Sequence, residues 1–259
     1  MFACAAVVLS SVSCYLDTRG LTGRRADAGT GNVDATVASI DAGAEDGATD
    51  GARVASCVGI DAAVCEDFDG PTSLEGWRPP QLANGGQLTV DSTASVSPPN
   101  ALWSRTPAQG PVPRSARVLK PVTLGRDGFA VEMDVLVEAG CTGALAIVTD
   151  DFSGPYYQFE LVAGRGQLFS LNENDNDNVT PHAGTRSVQQ GWTHLRCEVR
   201  FASPSVECFV DEQRALGPTP VTPARPLAGR AVHVGIGVNY DSTSTGCSAR
   251  IDNYVFRTW

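Results

Sequence analysis

Three carboxylates, Glu132, Asp134 and Glu138, mark the stretch Val131-Glu132-Met133-Asp134-Val135-Leu136-Val137-Glu138. Acids at alternate positions of a strand project from one face, which is how a sheet presents a general acid and a nucleophile to a glycosidic bond. A retaining pair needs carboxyl groups about 5–5.5 Å apart. Glu132 and Glu138 cannot supply that, because their spacing corresponds to about 20 Å along an extended strand. Glu132 and Asp134 are therefore expected on the solvated side of a half-buried strand.

A second acid pair follows from the segment Trp192 to Asp211, where alternation breaks at Ala202-Ser203-Pro204 and then resumes. Pairing Phe201 with Pro204 sets Cys197 opposite Cys208, Val199 opposite Val206, Glu198 opposite Glu207 and His194 opposite Asp211. The apolar members then share one face, and a one-residue slip would put half of them in water. Opposed like charges destabilise a sheet unless compensated, and Arg196 and Arg200 lie on the diagonals. This outer face is either a mixed charge ladder or a sugar-binding surface whose acids accept bonds from hydroxyl groups.

Loop positions offer a third set. Asn172-Glu173-Asn174-Asp175-Asn176-Asp177-Asn178 and Asp150-Asp151 are rich in the hard oxygen donors that calcium takes in groups of about six to eight. Asn and Asp also favour turns on their own account, and no EF-hand pattern is present. Asp150, Asp151, Tyr156, Tyr157, Asp175 and Asp177 are the candidate ligand-binding residues. No cofactor is required by any motif; calcium is the one ion that this composition would suit. His182 is expected in a loop and His233 on the solvent side of its strand. No Ser/His/Asp or Cys/His arrangement points to a nucleophile, and no CxxC spacing to zinc.

These positions must be held by strands. A period of two runs through Phe129, Val131, Met133, Val135 and Val137, through Tyr157, Phe159 and Leu161, through Val232, Val234, Ile236 and Val238, and through Ile251, Asn253 and Val255. Turn-forming clusters separate them, and no segment carries a helical stripe. Many short strands with one apolar face each predict an all-β fold of two antiparallel sheets packed face to face.

Composition bounds the rest. The 259 residues carry a net charge of −10, which argues against a nucleic-acid partner, since phosphate is bound through clustered Lys and Arg. No aromatic residue falls between Tyr15 and Phe68, and the chain from Ala26 to Ala52 is almost wholly Ala, Gly, Asp and Thr. Such a segment has too little apolar surface to offset the entropy of ordering it. Residues 15–56 are thus expected to be a disordered tether, and 57–259 a single domain. Residues 1–14 read as a signal peptide whose end, Ser11-Val12-Ser13-Cys14, is similar to a lipobox with Cys14 as the lipidated residue. An ordinary secretory signal is the alternative. The expected location is the outer membrane or cell surface of a bacterium, or otherwise the periplasm or medium, with membrane contact through the lipid anchor alone.

Six further cysteines agree with export and allow fifteen pairings. Register predicts Cys197 with Cys208, proximity suggests Cys57 with Cys65, and Cys141 and Cys247 remain for a third bridge.

Cys65-Glu66-Asp67-Phe68-Asp69-Gly70, followed by Trp77, Ser97-Pro98-Pro99-Asn100-Ala101-Leu102, Trp192-Thr193-His194-Leu195, Phe209-Val210-Asp211 and Arg250-Ile251-Asp252-Asn253-Tyr254-Val255, resembles the concanavalin A-like (laminin G-like) jelly rolls over about Cys65 to Phe256. The resemblance implies a jelly-roll sandwich. Family members include lectins, glucanases and adhesion modules, so it does not by itself imply an activity. Laminarinase-type members carry E-x-D-x-E or E-x-D-x-x-E, with the first Glu as nucleophile and the last as acid/base. Glu132 and Asp134 match the first two positions, but Leu136 and Val137 stand where the acid/base belongs. The expected function is a surface-anchored, non-catalytic module binding a glycan or an extracellular protein. The alternatives are a glycoside hydrolase with a non-standard acid cluster and a purely structural envelope protein.

Overall fold

The computed structural model describes residues 57, 59–138, 140–150, 156–176, 178–223, 226–241 and 245–259. The segments expected to be a signal peptide ending at Cys14 and a tether, and the candidates Asp151 and Asp177, lie outside them. Fifteen strands and no helix occur among the described residues. In chain order these are β1 (Val64–Glu66), β2 (Gln81–Ala83), β3 (Gln87–Asp91), β4 (Ala101–Thr106), β5 (Arg114–Thr123), β6 (Gly128–Val137), β7 (Thr142–Thr149) and β8 (Tyr157–Gly164). They continue with β9 (Leu168–Asp175), β10 (Asn178–Ser187), β11 (Thr193–Arg200), β12 (Ser205–Val210), β13 (Gln213–Pro220), β14 (Ala231–Asp241) and β15 (Cys247–Thr258).

Two antiparallel sheets form the sandwich. The eight-stranded sheet runs β13-β12-β11-β6-β15-β4-β3, with β1 added alongside β15, and the seven-stranded sheet runs β10-β9-β8-β7-β14-β5-β2. Alternation decides the inner faces, as the sequence predicts. Phe129, Val131, Met133, Val135 and Val137 of β6 are all buried, and so are Val232, Val234, Ile236 and Val238 of β14 and Phe159 and Leu161 of β8. Phe129 is the aromatic centre of this core, with ring centroids of Phe159 at 5.7 Å, Phe256 at 5.5 Å and Phe201 at 6.1 Å.

The β11–β12 hairpin has the expected register, with Cys197 opposite Cys208 and Glu198 opposite Glu207. Its two cysteines are bonded, as are Cys57 with Cys65 and Cys141 with Cys247. Three disulfides mark an exported protein.

Two local expectations are corrected. Asn172 to Asn178 is not a loop: β9 continues to Asp175 and β10 begins at Asn178, with Asn176 turning the hairpin at φ 49°. Sheet pairing with β8 overrides the turn preference of Asn and Asp, because Leu171 and Glu173 point inward and Asn172 and Asn174 take the alternate positions. His182 consequently lies on β10 rather than in a loop, and its Nε2 is 3.1 Å from Glu173 Oε2.

Candidate functional site

The acid strand β6 does not present a catalytic pair. Asp134 is buried, which corrects the expectation of a solvated carboxylate. Its Oδ1 is 2.9 Å from His194 Nδ1 on β11, and its Oδ2 accepts from Asn253 Nδ2 at 2.8 Å. Glu132 accepts from Arg257 at 2.6 Å and faces His194 Nε2 at 3.5 Å. The bond from His194, helped by Arg257 and opposed by burial, holds the Glu132 carboxyl down at about 2. An acid held this way cannot serve as a proton donor near neutral pH.

The neighbouring Glu198–Glu207 pair is neutralised from both sides. Arg196 reaches Glu198 at 2.7 Å and Arg200 reaches it at 3.5 Å, each two residues along the same strand rather than across the diagonal to Glu207. Glu207 is bound instead by Arg214 of β13, at 2.6 Å. Asp211 turns its carboxylate to the backbone N–H of His194 at 2.9 Å. This part of the eight-stranded sheet is a compensated charge ladder.

The candidates drawn from loops separate. Asp150 is 1% exposed, and its Oδ1 accepts from the backbone N–H of Tyr157 at 2.7 Å. Tyr157 faces the interior, where its hydroxyl donates to Glu173; burial and that carboxylate push the phenol's pKa up. Asp175 sits at the hairpin end beside Asn176. Among the described candidates Tyr156 alone lies on the outer face, within 3.4 Å of the Asn174 amide. No group of three His, Cys, Asp or Glu side chains able to hold a metal ion occurs among the described residues. The calcium expectation also drew on Asp151 and Asp177, outside that set.

The outer face of the seven-stranded sheet carries an arrangement that local sequence patterns did not reveal. Strand alternation places Arg117 of β5, Asn239 of β14, Gln158 and Glu160 of β8, and Asn172 of β9 on this one face. They are joined side chain to side chain. Arg117 Nε donates to Gln81 Oε1 of β2 at 2.8 Å, and its Nη1 donates to Asn239 Oδ1. Asn239 Nδ2 donates to Glu160 Oε1 at 3.0 Å, across the intervening strand β7. Gln158 also donates to Glu160, and Asn172 Nδ2 reaches Glu160 Oε2 at 3.5 Å. The result is a polar ribbon from β2 to β9 that continues to Asn174 and Tyr156.

Although it lies on an outer face, the ribbon is crowded: Arg117, Gln158 and Asn239 are 6%, 3% and 2% exposed. His233, expected to point to solvent, lies on the same face and is 9% exposed, because its strand is central and flanked on both sides. Burial raises the Glu160 carboxyl above its ordinary range, and the bonds from Asn172, Gln158 and Asn239 and the charge of Arg117 only partly offset this. Every bond that Glu160 makes to these amides is one it accepts. Amides, a guanidinium and a carboxyl group in a fixed row can exchange hydrogen bonds with the paired hydroxyls of a sugar chain. The polar residues at alternate positions of β8 and β9 were the available signal.

No protein-family model matches the chain, and no curated protein matches it. Solved structures do. An endo-β-1,4-glucuronan lyase from the fungus Trichoderma reesei is similar at 10% identity and a TM-score of 0.59, over 76% of this chain and 96% of that one. The cellulose induced protein Cip1 is similar at 12% identity and a TM-score of 0.56, over 76% and 97%. Lectin II from Ulex europaeus is similar at 10% identity and a TM-score of 0.50, over 76% and 98%. Identities this low speak to architecture alone. With two antiparallel sheets in this order and these neighbours, the chain has the concanavalin A-like jelly-roll fold.

Proposed function

We propose that the domain is a non-catalytic glycan-binding module that uses the outer face of the seven-stranded sheet. The supporting observation is the hydrogen-bonded row from Gln81 through Arg117, Asn239 and Glu160 to Asn172, fixed on five strands. Side chains already locked by one another lose little further freedom on binding. Two of the similar structures are named for glycans, one as a lectin and one as a glucuronan lyase, which favours a saccharide over a protein ligand. Against catalysis stand the partners of the acids: Glu160 is bound by amides, and Glu132 and Asp134 are engaged by His194 and Arg257. In the same proposal Cys14 carries a lipid, and residues 15–56 hold the module away from the membrane at the cell surface.

Binding of the full chain to a glycan array, with and without calcium, tests this, followed by calorimetry on Gln81→Ala and Asn172→Ala. These residues end the ribbon and are only partly buried, so the fold should survive their truncation. An affinity loss of about tenfold in each is expected, on the scale of one or two hydrogen bonds. Unchanged affinity in both variants would move the site off this face, and release of shortened sugar products would make the protein an enzyme.

A further inference from the structure

The outer face of the eight-stranded sheet holds a cleft of about 410 Å³ between β4 and the start of β15, lined by Trp103, Arg105, Glu138, Thr245 and Ser248 among others. Trp103 and Arg105 alternate on β4 and share its outer side, with Arg250 opposite Trp103 and Ser248 opposite Arg105. The indole Nε1 donates to Ser248 Oγ at 3.0 Å, which occupies the ring's single donor and fixes its plane. The Cys141–Cys247 disulfide secures the strand end that forms one wall.

Two guanidinium groups flank the ring, Arg105 at 5.9 Å and Arg250 at 5.8 Å from its centroid. Neither guanidinium lies as close to its ring as Arg196 does to Phe209, at 4.3 Å, and Trp103 is only partly buried where it lines the cleft. The two arginines differ in charge compensation. Arg250 is held by Glu138 at 3.2 Å, Asp91 at 3.7 Å and the Thr93 hydroxyl at 2.8 Å. Arg105 is exposed and forms no ion pair with any described residue. In a chain with a net charge of −10, this is a cation that no described residue pairs with, placed at an aromatic ring in a walled cleft.

We infer that this cleft binds an anionic saccharide. The C–H face of one sugar ring rests on Trp103, its carboxylate or sulfate pairs with Arg105, and Glu138 accepts from a hydroxyl group. A tryptophan supplies apolar area with a polar edge, and a guanidinium forms two parallel bonds to an oxyanion. The site belongs to the sheet opposite the Gln81–Asn172 ribbon and does not depend on that ribbon binding anything.

Calorimetry on the full chain with an oligogalacturonate, its carboxyl-reduced neutral counterpart and a heparin-derived tetrasaccharide tests the inference. At least one anionic probe should bind; which one does so identifies carboxylate or sulfate as the group recognised. Arg105→Gln should weaken it by at least about tenfold, the scale of losing one charge-assisted pair. Gln81→Ala should leave it unchanged, which separates this site from the ribbon. Arg105 is exposed, so the variant should melt like the parent. Failure of both anionic probes to bind, equal affinity for the neutral probe, or undiminished affinity in Arg105→Gln would each overturn the inference.

Discussion

His194 Nδ1 on β11 lies 2.9 Å from Asp134 Oδ1 on β6, while its Nε2 faces Glu132 at 3.5 Å and Glu212 at 3.6 Å. Burial alone would discharge this imidazole, but its bonds to Asp134 and Glu132 outweigh burial and lift its pKa to about 9. A group raised on folding contributes stability that is complete below its unfolded value, about 6.5, and is lost as pH rises through its folded value. The window of loss is therefore pH 6.5 to about 9. Urea unfolding across that window should show stability falling by on the order of 3 kcal/mol. His194→Gln should be less stable at the acidic end and nearly flat across the window. Parallel curves for the two proteins would mean that His194 carries no charge in the fold.

Glu132 predicts the opposite limb. Its carboxyl is lowered to about 2 by the bond from His194, with burial opposing and Arg257 adding to the effect. A lowered carboxyl stabilises above its unfolded value, near 4.5, and that contribution disappears as pH falls toward 2. Glu132→Gln should destabilise the protein at neutral pH and converge with the parent as pH approaches about 2. A constant difference between the two at every pH would assign the loss to packing.

The disulfides should rank by the chain they enclose. Their sequence separations are 8, 11 and 106 residues for Cys57–Cys65, Cys197–Cys208 and Cys141–Cys247. Loop-closure entropy gives about 3 kcal/mol for the short loops and about 4.7 kcal/mol for one near a hundred residues. Paired Cys→Ala variants measured by urea unfolding should follow that order. If the Cys141–Cys247 variant is the least affected, native-state strain or residual structure in the unfolded chain governs instead.

The motif pieces that signalled the fold are contacts between distant parts of the chain. Asp252 Oδ2 accepts from the backbone N–H groups of Val96 and Ser97 at 2.8 and 2.9 Å. Asp69 Oδ1 accepts from Asn100 N at 2.8 Å, and Glu66 Oε1 from Trp77 Nε1 at 2.7 Å. These residues were legible because each is the side chain a loop needs at one place. The β11–β12 register was legible because one short turn fixes the whole pairing.

The ribbon was hidden for the converse reason. Gln81, Arg117, Asn239 and Glu160 meet only through the order β2-β5-β14-β7-β8, which no local period encodes. Asn172 and Asn174 resembled a loop because turn preference is local, whereas the β8 pairing that overrides it is not. For Asp134, alternation gave the outer face but not the His194 ring that covers it.

Asp252 tests whether the motif is structural. Its carboxylate also accepts from Ser97 Oγ at 3.1 Å and Asn253 N at 2.8 Å, and the residue is 0% exposed. Asp252→Ala would strand several donors at once, each costing about 1–3 kcal/mol when buried without a partner. A strongly destabilised or insoluble protein is expected. Asp252→Asn, which keeps the shape and one acceptor oxygen, should retain part of that stability in urea unfolding. Near-native stability of the alanine variant would remove the network's structural role.

Gly237 links fold to ribbon. On β14, Ile236 pairs with Ala146 and Asn239 with Ala144, so three steps on one strand match two on the other. This bulge sits at Gly237, where φ is 115°, and it brings Asn239 over β7 toward Glu160. A Cβ at Gly237 would lie 2.3 Å from Ala116 O and 2.9 Å from Arg117 Cα, backbone that cannot swing aside. Gly166 is the control, since φ there is 73° but nothing lies within 4 Å of its Cβ position. Gly166→Ala should show only the dihedral penalty, about 1 kcal/mol. Gly237→Ala adds displacement of β5, and with it Arg117, so it should cost several times more, on the order of 3 kcal/mol or above. It should also weaken any ligand held by the ribbon, while Gly166→Ala leaves binding intact. Equal losses in urea unfolding for the two variants would show that the close approach of β14 to β5 does not position Asn239.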